Sequence, residues 1–158
     1  VTGGSDADRY GFDENRNYLA EAVGKFVPQP LARRALRIDL ETDREAYRPG
    51  DAVELTVAIE NRLPLPIAVA TPQRRLWGWT VDGELEASDE KRYASGAAGR
   101  FPFRAGERKV ITWTWNGRFK RVGDRTTWET PAPGTYEIRA FVATRPPRPS
   151  DSVRIRIG

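Results

Sequence analysis

The chain contains no cysteine and no histidine in 158 residues. Without cysteine there are no disulfides and no thiolate nucleophile, and the redox compartment cannot be read from the residues. Without histidine the commonest general base and the commonest transition-metal ligand are both missing. Catalysis would fall to carboxylates, Lys, Tyr or Ser/Thr, and any metal would be a hard, oxygen-bound ion. The sequence also lacks an acidic calcium loop, a Gly-rich phosphate loop ending in Lys-Ser/Thr, and a nucleophile elbow. The expectation is therefore no enzyme, no cofactor and no metal. No run approaches the ~18 apolar residues of a membrane span, and "VTGGSDADRYGF" at residues 1–12 has neither the basic nor the apolar region of a signal peptide. The expected compartment is the cytoplasm, with no membrane partner. Because the chain begins at Val1, a signal peptide already removed is the alternative.

Lysine is scarce, with 4 residues against 22 arginines. That bias fits a GC-rich coding sequence better than dedicated phosphate recognition. The length predicts one domain able to bury roughly two-thirds of its unfolded surface. An apolar fraction of 39% with 30% charged residues is globular composition. The net charge of +4 hides an asymmetry: residues 1–90 carry 11 basic and 17 acidic groups, and residues 91–158 carry 15 and 5. Such a split predicts a dipolar surface and an acidic partner for the C-terminal half.

Residues 1–35 read as a polar tail followed by a short helix. Asp13 or Asn15 can cap that helix, Tyr18, Leu19, Ala22, Val23 and Phe26 form one apolar stripe, and Gly24 and Pro28 end it. The stripe must bury against something, either one end of the domain or a partner. "VPQP" at 27–30 then predicts an extended connection.

From Leu36 the apolar period changes from helical to two. "LRIDLETD" (36–43) and "AVELTVAIEN" (52–61) alternate, the second sending Val53, Leu55, Val57 and Ile59 to one face. Pro49-Gly50 between them is turn chemistry. Further strands are predicted at 66–71, 76–83, 100–103, 108–115, 134–144 and 151–158. The fold class is therefore all-β: an antiparallel sandwich of about eight strands over residues 36–158, immunoglobulin-like, preceded by one short N-terminal helix. Val53, Leu55, Val57 and Ile59 are expected to be buried together with Ile138 and Ala140. Tyr136, at the start of a late strand after "PAPG", suits a tyrosine corner.

The stretch "LETDREAYRPGDAVELTVAIEN" resembles the opening of BsuPI-like intracellular proteinase-inhibitor domains, with a strand, Tyr-x-x-Gly, and an alternating strand ending in Asn. The similarity continues through "LWGWTVDGE", "FRAGERKVITWTW" and "PAPGTYEIRAFV", over about residues 36–144. The resemblance implies a cofactor-free β-sandwich whose role is inhibition of intracellular serine proteases. No reactive inhibitory residue carries over to this chain.

"ITWTWNGRFKRVGDRTTWE" (111–129) concentrates Trp113, Trp115 and Trp128 with Arg118, Lys120, Arg121 and Arg125. Basic charge among aromatics is what a single-strand nucleic-acid surface needs. Lys109, Ile111, Trp113 and Trp115 share one face of their strand; inward they anchor a core, and outward they make a binding platform. Trp77 and Trp79 pose the same choice. The "GRFKRVGDR" segment reads as a protruding, open loop, because only Asp124 lies among its four cations, with Glu129 just beyond. Arg118, Phe119, Lys120, Arg121 and Arg125 are the candidate partner-binding residues, with Phe119 an apolar anchor. Arg139, Arg154 and Arg156 should point outward and form a basic sheet face if their strands are neighbours. Three functions follow in order: a non-enzymatic protein-binding module of the proteinase-inhibitor type contacting its partner through loops at a sandwich end, with a protein (a protease among the candidates) as partner; a nucleic-acid- or ribonucleoprotein-associated protein; and a structural subunit assembling through edge strands. Oligomeric state stays open.

Overall fold

The computed structural model describes residues 27–92 and 96–158. The predicted helix carrying Tyr18 to Phe26 lies outside the described residues. Where an extended connection was expected, the chain instead forms helix α1 (Gln29–Ala35). Pro28 stands at its N-cap and Pro30 in its first turn, where the missing N–H has no intrahelical partner to lose. Ala32 and Ala35 are buried, and Gln29 clamps the neighbouring strand by donating to Ala68 O and accepting from Ala70 N. No helix among the described residues is long and apolar enough to cross a membrane.

All eight predicted strands form. One layer has the order β1 (Leu36–Thr42), β3 (Val53–Asn61), β8 (Arg108–Trp115). The facing layer has the order β2 (Ala46–Tyr47), β12 (Ser150–Ile157), β11 (Gly134–Val142), β5 (Trp77–Val81), β6 (Glu84–Leu85). β4 (Ile67–Thr71) pairs with β7 (Gly99–Phe103), carrying the β3–β8 ribbon onward. The junction is organised by Asn61, the residue that ends the alternating strand. It is fully buried, its side-chain amide donates to Leu65 O and Arg104 O, and its Oδ1 accepts from Leu63 N. The expected eight strands are joined by four short ones, β2, β6, β9 (Phe119–Val122) and β10 (Thr126–Glu129).

Every strand pair is antiparallel except β2, which runs parallel to the last strand, β12. The chain thus starts in one layer at β1 and crosses at once to the other at β2, an immunoglobulin-like arrangement. Val53, Leu55, Val57, Ile59, Ile138 and Ala140 are all completely buried. The two-residue period therefore sends one face of each strand into a shared core. Trp79 and Trp115 meet across the layers at 6.4 Å between centroids, and Trp77 meets Trp113 edge-on at 6.4 Å. Trp77, Trp79 and Trp115 are therefore core rather than platform, while Trp113 at the rim stays 51% exposed and Trp128 on the late hairpin 52%.

Two tyrosines fasten the ends. The buried Tyr47 hydroxyl donates to Asp43 Oδ1 at 2.7 Å and accepts from Arg44 N. That hydrogen bond is the main reason the Asp43 carboxyl sits below its usual range. Its contribution is present above the ordinary carboxylate pKa and is lost as pH falls through the depressed value. Tyr136 forms the expected corner, its hydroxyl donating to Ala132 O at 2.5 Å. Removing that hydroxyl with Tyr136→Phe is expected to cost about 1 kcal/mol of stability. A urea midpoint unchanged from wild type would show that the corner only decorates the turn.

Candidate functional site

The stretch expected to protrude as an open loop is instead a hairpin, β9 paired with β10, with Phe119 opposite Glu129 and Val122 opposite Thr126. Phe119 is not an exposed anchor. It is 6% exposed and packs on Trp115 at 5.7 Å and Tyr136 at 6.0 Å. Arg121 is not free either: it lies over the Phe119 ring and binds Glu84 at 3.0 Å and Glu129 at 2.9 Å. Those two carboxylates hold its guanidinium above the usual arginine range, Glu129 most strongly. Lys120 pairs with Glu90 at 3.3 Å. Counting charges in and beside the loop missed Glu84 and Glu90, which lie 37 and 30 residues away in sequence. Arg118 and Arg125 remain exposed.

The acidic residues that hold the hairpin connect it to a second cluster. Arg75, Glu86, Arg92, Glu90 and Lys120 form one chain of ion pairs, with Glu86 bridging Arg75 at 3.5 Å and Arg92 at 2.7 Å. The chain starts on the outer face of the β5–β11–β12 layer. There Gly78 leaves room for Phe141, whose Cζ lies 2.5 Å from where a Cβ would stand. Phe141 faces away from the core yet is only 9% exposed, because Arg148 lies over its ring at 5.1 Å. Arg148 also donates through Nε to Thr144 O and pairs with no carboxylate among the described residues.

Two depressions of about 420 and 370 Å³ flank this arginine and share Thr80, Phe141 and Arg148 in their walls. Arg75, Arg92 and Leu85 line the first, and Arg139 and Glu137 the second. β11 and β12 are neighbours, so Arg139, Arg154 and Arg156 continue the basic face outward, broken only by the Arg139–Glu137 pair at 3.2 Å. The opposite outer face, on β1 and β3, carries Asp39, Glu41, Glu54 and Glu60. That face also holds Arg37, paired with Asp39 at 3.2 Å. A larger open depression of about 780 Å³ sets Glu41 and Glu45 among Arg154 and Arg156, so its charges cancel.

Glu86 is held in place by its backbone. Glu86 and Ala87 have φ of +53° and +51°, a left-handed conformation that costs a non-glycine residue roughly 1–3 kcal/mol. The turn keeps one internal carboxylate between two guanidinium groups at the lip of the depression. The sequence carried two signals for this site: a glycine inside "LWGWT" marks a close approach, and Phe141 is an aromatic at an outward position of its strand.

A family model matches residues 24–158, and its description is "Family of unknown function (DUF7974)". The chain belongs to this family. No curated protein matches it. Among solved structures it is similar to the CARDB domain of PF1109 from Pyrococcus furiosus, at 12% identity and a TM-score of 0.48, covering 78% of this chain and 94% of that one. It is also similar to part of a β-glucosidase from Listeria innocua in complex with glucose, at 14% identity and a TM-score of 0.46, covering 78% of this chain and 16% of that chain. The Pseudomonas fluorescens alkylpurine DNA glycosylase AlkC, bound to DNA containing an abasic site analog, matches at 19% identity and a TM-score of 0.48, over 78% of this chain and 30% of that one. The chain therefore spans less than a third of either enzyme, and none of these likenesses bears on its activity. The BsuPI-like resemblance reaches the sandwich fold and goes no further.

Proposed function

We propose that this member of the DUF7974 family is a non-enzymatic module that binds an acidic protein segment on the outer face of its five-stranded layer. One observation carries this reading: Glu86 is gripped between Arg75 and Arg92, beside an Arg148 that pairs with no carboxylate among the described residues. Guanidinium groups bind carboxylates through paired, charge-assisted hydrogen bonds, and the site already holds one such carboxylate internally. The absence of histidine and cysteine supports a binding role over a catalytic one. Inhibition of a serine protease, which the BsuPI-like resemblance implies, is one form such binding takes.

A nucleic-acid role is the second reading, favoured by the arginine content of this face. Binding single strands also needs exposed rings among the cations. The exposed Trp113 and Trp128 lie on β8 and β10, away from this face, while Phe141 is covered by Arg148. No exposed ring stands among the arginines of this face, which favours a carboxylate ligand there.

Fluorescence anisotropy with a poly-glutamate peptide tests the reading. The double variant Arg75→Ser, Arg148→Ser should weaken binding about tenfold or more. Glu86→Gln removes the internal competitor and should tighten it about threefold. Tighter binding of an oligo-dT probe than of poly-glutamate would transfer the face to nucleic acid. Loss of binding in an Arg118→Ser, Arg125→Ser variant alone would return the site to the hairpin.

A further inference from the structure

The layer opposite the basic face ends in an open strand. β8 runs for eight residues, Arg108–Trp115, and only β3 pairs with it among the described residues. Asn61 N donates to Glu107 O at 2.9 Å, which fixes the phase of the ladder. Alternation of an antiparallel pair then directs the N–H and C=O groups of Lys109, Ile111, Trp113 and Trp115 toward β3. The same groups of Arg108, Val110, Thr112 and Thr114 point to the free side. Three other edges of the two main layers are guarded. Asp151 accepts from Leu40 N at 2.8 Å on the edge of β1, β2 covers the end of β12, and β6 covers the end of β5. On β8 itself Val110 is 57% and Trp113 51% exposed, on opposite faces of the strand. The inward-pointing charge that often blunts such an edge is spent elsewhere, since Lys109 Nζ sits over the Phe103 ring at 4.5 Å.

We infer that the free edge of β8 pairs in antiparallel fashion with β8 of a second copy, forming a two-fold dimer whose first layer becomes a continuous sheet of order β1-β3-β8-β8-β3-β1. The charge pattern of the strand selects both the partner and the direction. Arg108 and Lys109 stand at its beginning, and Trp113, Thr114 and Trp115 at its end. An antiparallel copy with its axis near Ile111 or Thr112 lays each Lys109 beside a tryptophan and each Arg108 beside a neutral residue, so no like charges meet across the seam. A parallel copy would set Arg108 against Arg108 and Lys109 against Lys109. The exposed Val110 and Trp113 each gain a cross-strand neighbour on their respective faces. The basic face on the other layer stays outside this seam, so both copies keep it available.

Sedimentation of the full chain across a concentration series tests the dimer, together with amide hydrogen exchange. Wild type should show a concentration-dependent dimer, with slowed exchange at Val110, Thr112 and Thr114. The Thr112 N–H faces the free side, so Thr112→Pro removes an edge donor without taking a bond from the β3–β8 ladder. Thr112→Lys places a cation at the axis of each copy. Either change should weaken dimerisation about tenfold or more while circular dichroism keeps the β signature. If Thr112→Pro disturbs the strand itself, Thr112→Lys alone decides the outcome. A wild-type chain that is monomeric at every concentration would overturn the inference. So would a dimer that persists unchanged in Thr112→Lys, or slowed exchange at these amides in a monomer, which would mean that the chain covers its own edge.

Discussion

Replacing Trp115 with alanine should destabilise the domain by about 3–5 kcal/mol, the range for truncating a large buried aromatic. Trp115 is 3% exposed and touches both Trp79 of the facing layer and Phe119 of the hairpin. Its indole N–H also donates to Arg118 O at 2.8 Å, closing the turn between β8 and β9. The variant loses core volume and the hairpin's attachment together, since Phe119 packs directly on the removed ring. In a thermal melt the midpoint should fall by roughly 10 °C. A drop under about 2 °C would mean that the core does not depend on this aromatic column.

Gly117→Ala should be nearly as damaging, for a backbone reason. Gly117 has φ +75°, and a Cβ there would fall 2.0 Å from Asp51 O, a backbone atom of the turn at Pro49-Gly50. That turn is itself closed by Asp51 N donating to Arg48 O at 3.0 Å, with Gly50 at φ +84°. The neighbour cannot rotate away as a side chain would, so one of two turns must shift. The expected cost is about 3 kcal/mol or more, combining left-handed strain with the clash. Gly106→Ala is the control: its φ is +68° but nothing lies within 4 Å of the new Cβ, so only the strain of about 1–2 kcal/mol should appear. Equal urea midpoints for the two variants would remove the contact between Gly117 and the Asp51 turn from the explanation.

The fold was legible wherever burial is one-sided. Val53, Leu55, Val57 and Ile59 alternate because one face of β3 meets the core, and the period of two records it directly. Tyr136 was legible for a similar reason, since a tyrosine just after a Pro-Gly turn has a local partner four residues back. The hairpin at 119–129 was not. Its cations are held by Glu84 and Glu90, and Phe119 packs on Tyr136 as well as on the nearby Trp115, so most of these contacts exist only once distant segments meet. Arg139, Arg154 and Arg156 could be placed on a face by alternation, whereas Arg75, Arg92 and Arg148 come from turns and irregular segments that carry no period. The glycine at 78 and the outward phase of Phe141 were the local signs that an aromatic ring lies across the outside of the sheet.

Amide and arginine Nε–H chemical-shift mapping of the labelled protein titrated with poly-glutamate tests the proposed role most directly. Saturating shifts are expected at Arg75, Thr80, Leu85, Ala143 and Arg148, around the two depressions that share Phe141. They should grow sharper at lower peptide concentration in Glu86→Gln. Shifts confined to Arg118 and Arg125 on the hairpin, or none anywhere on the five-stranded layer, would contradict an acidic-segment site on this face.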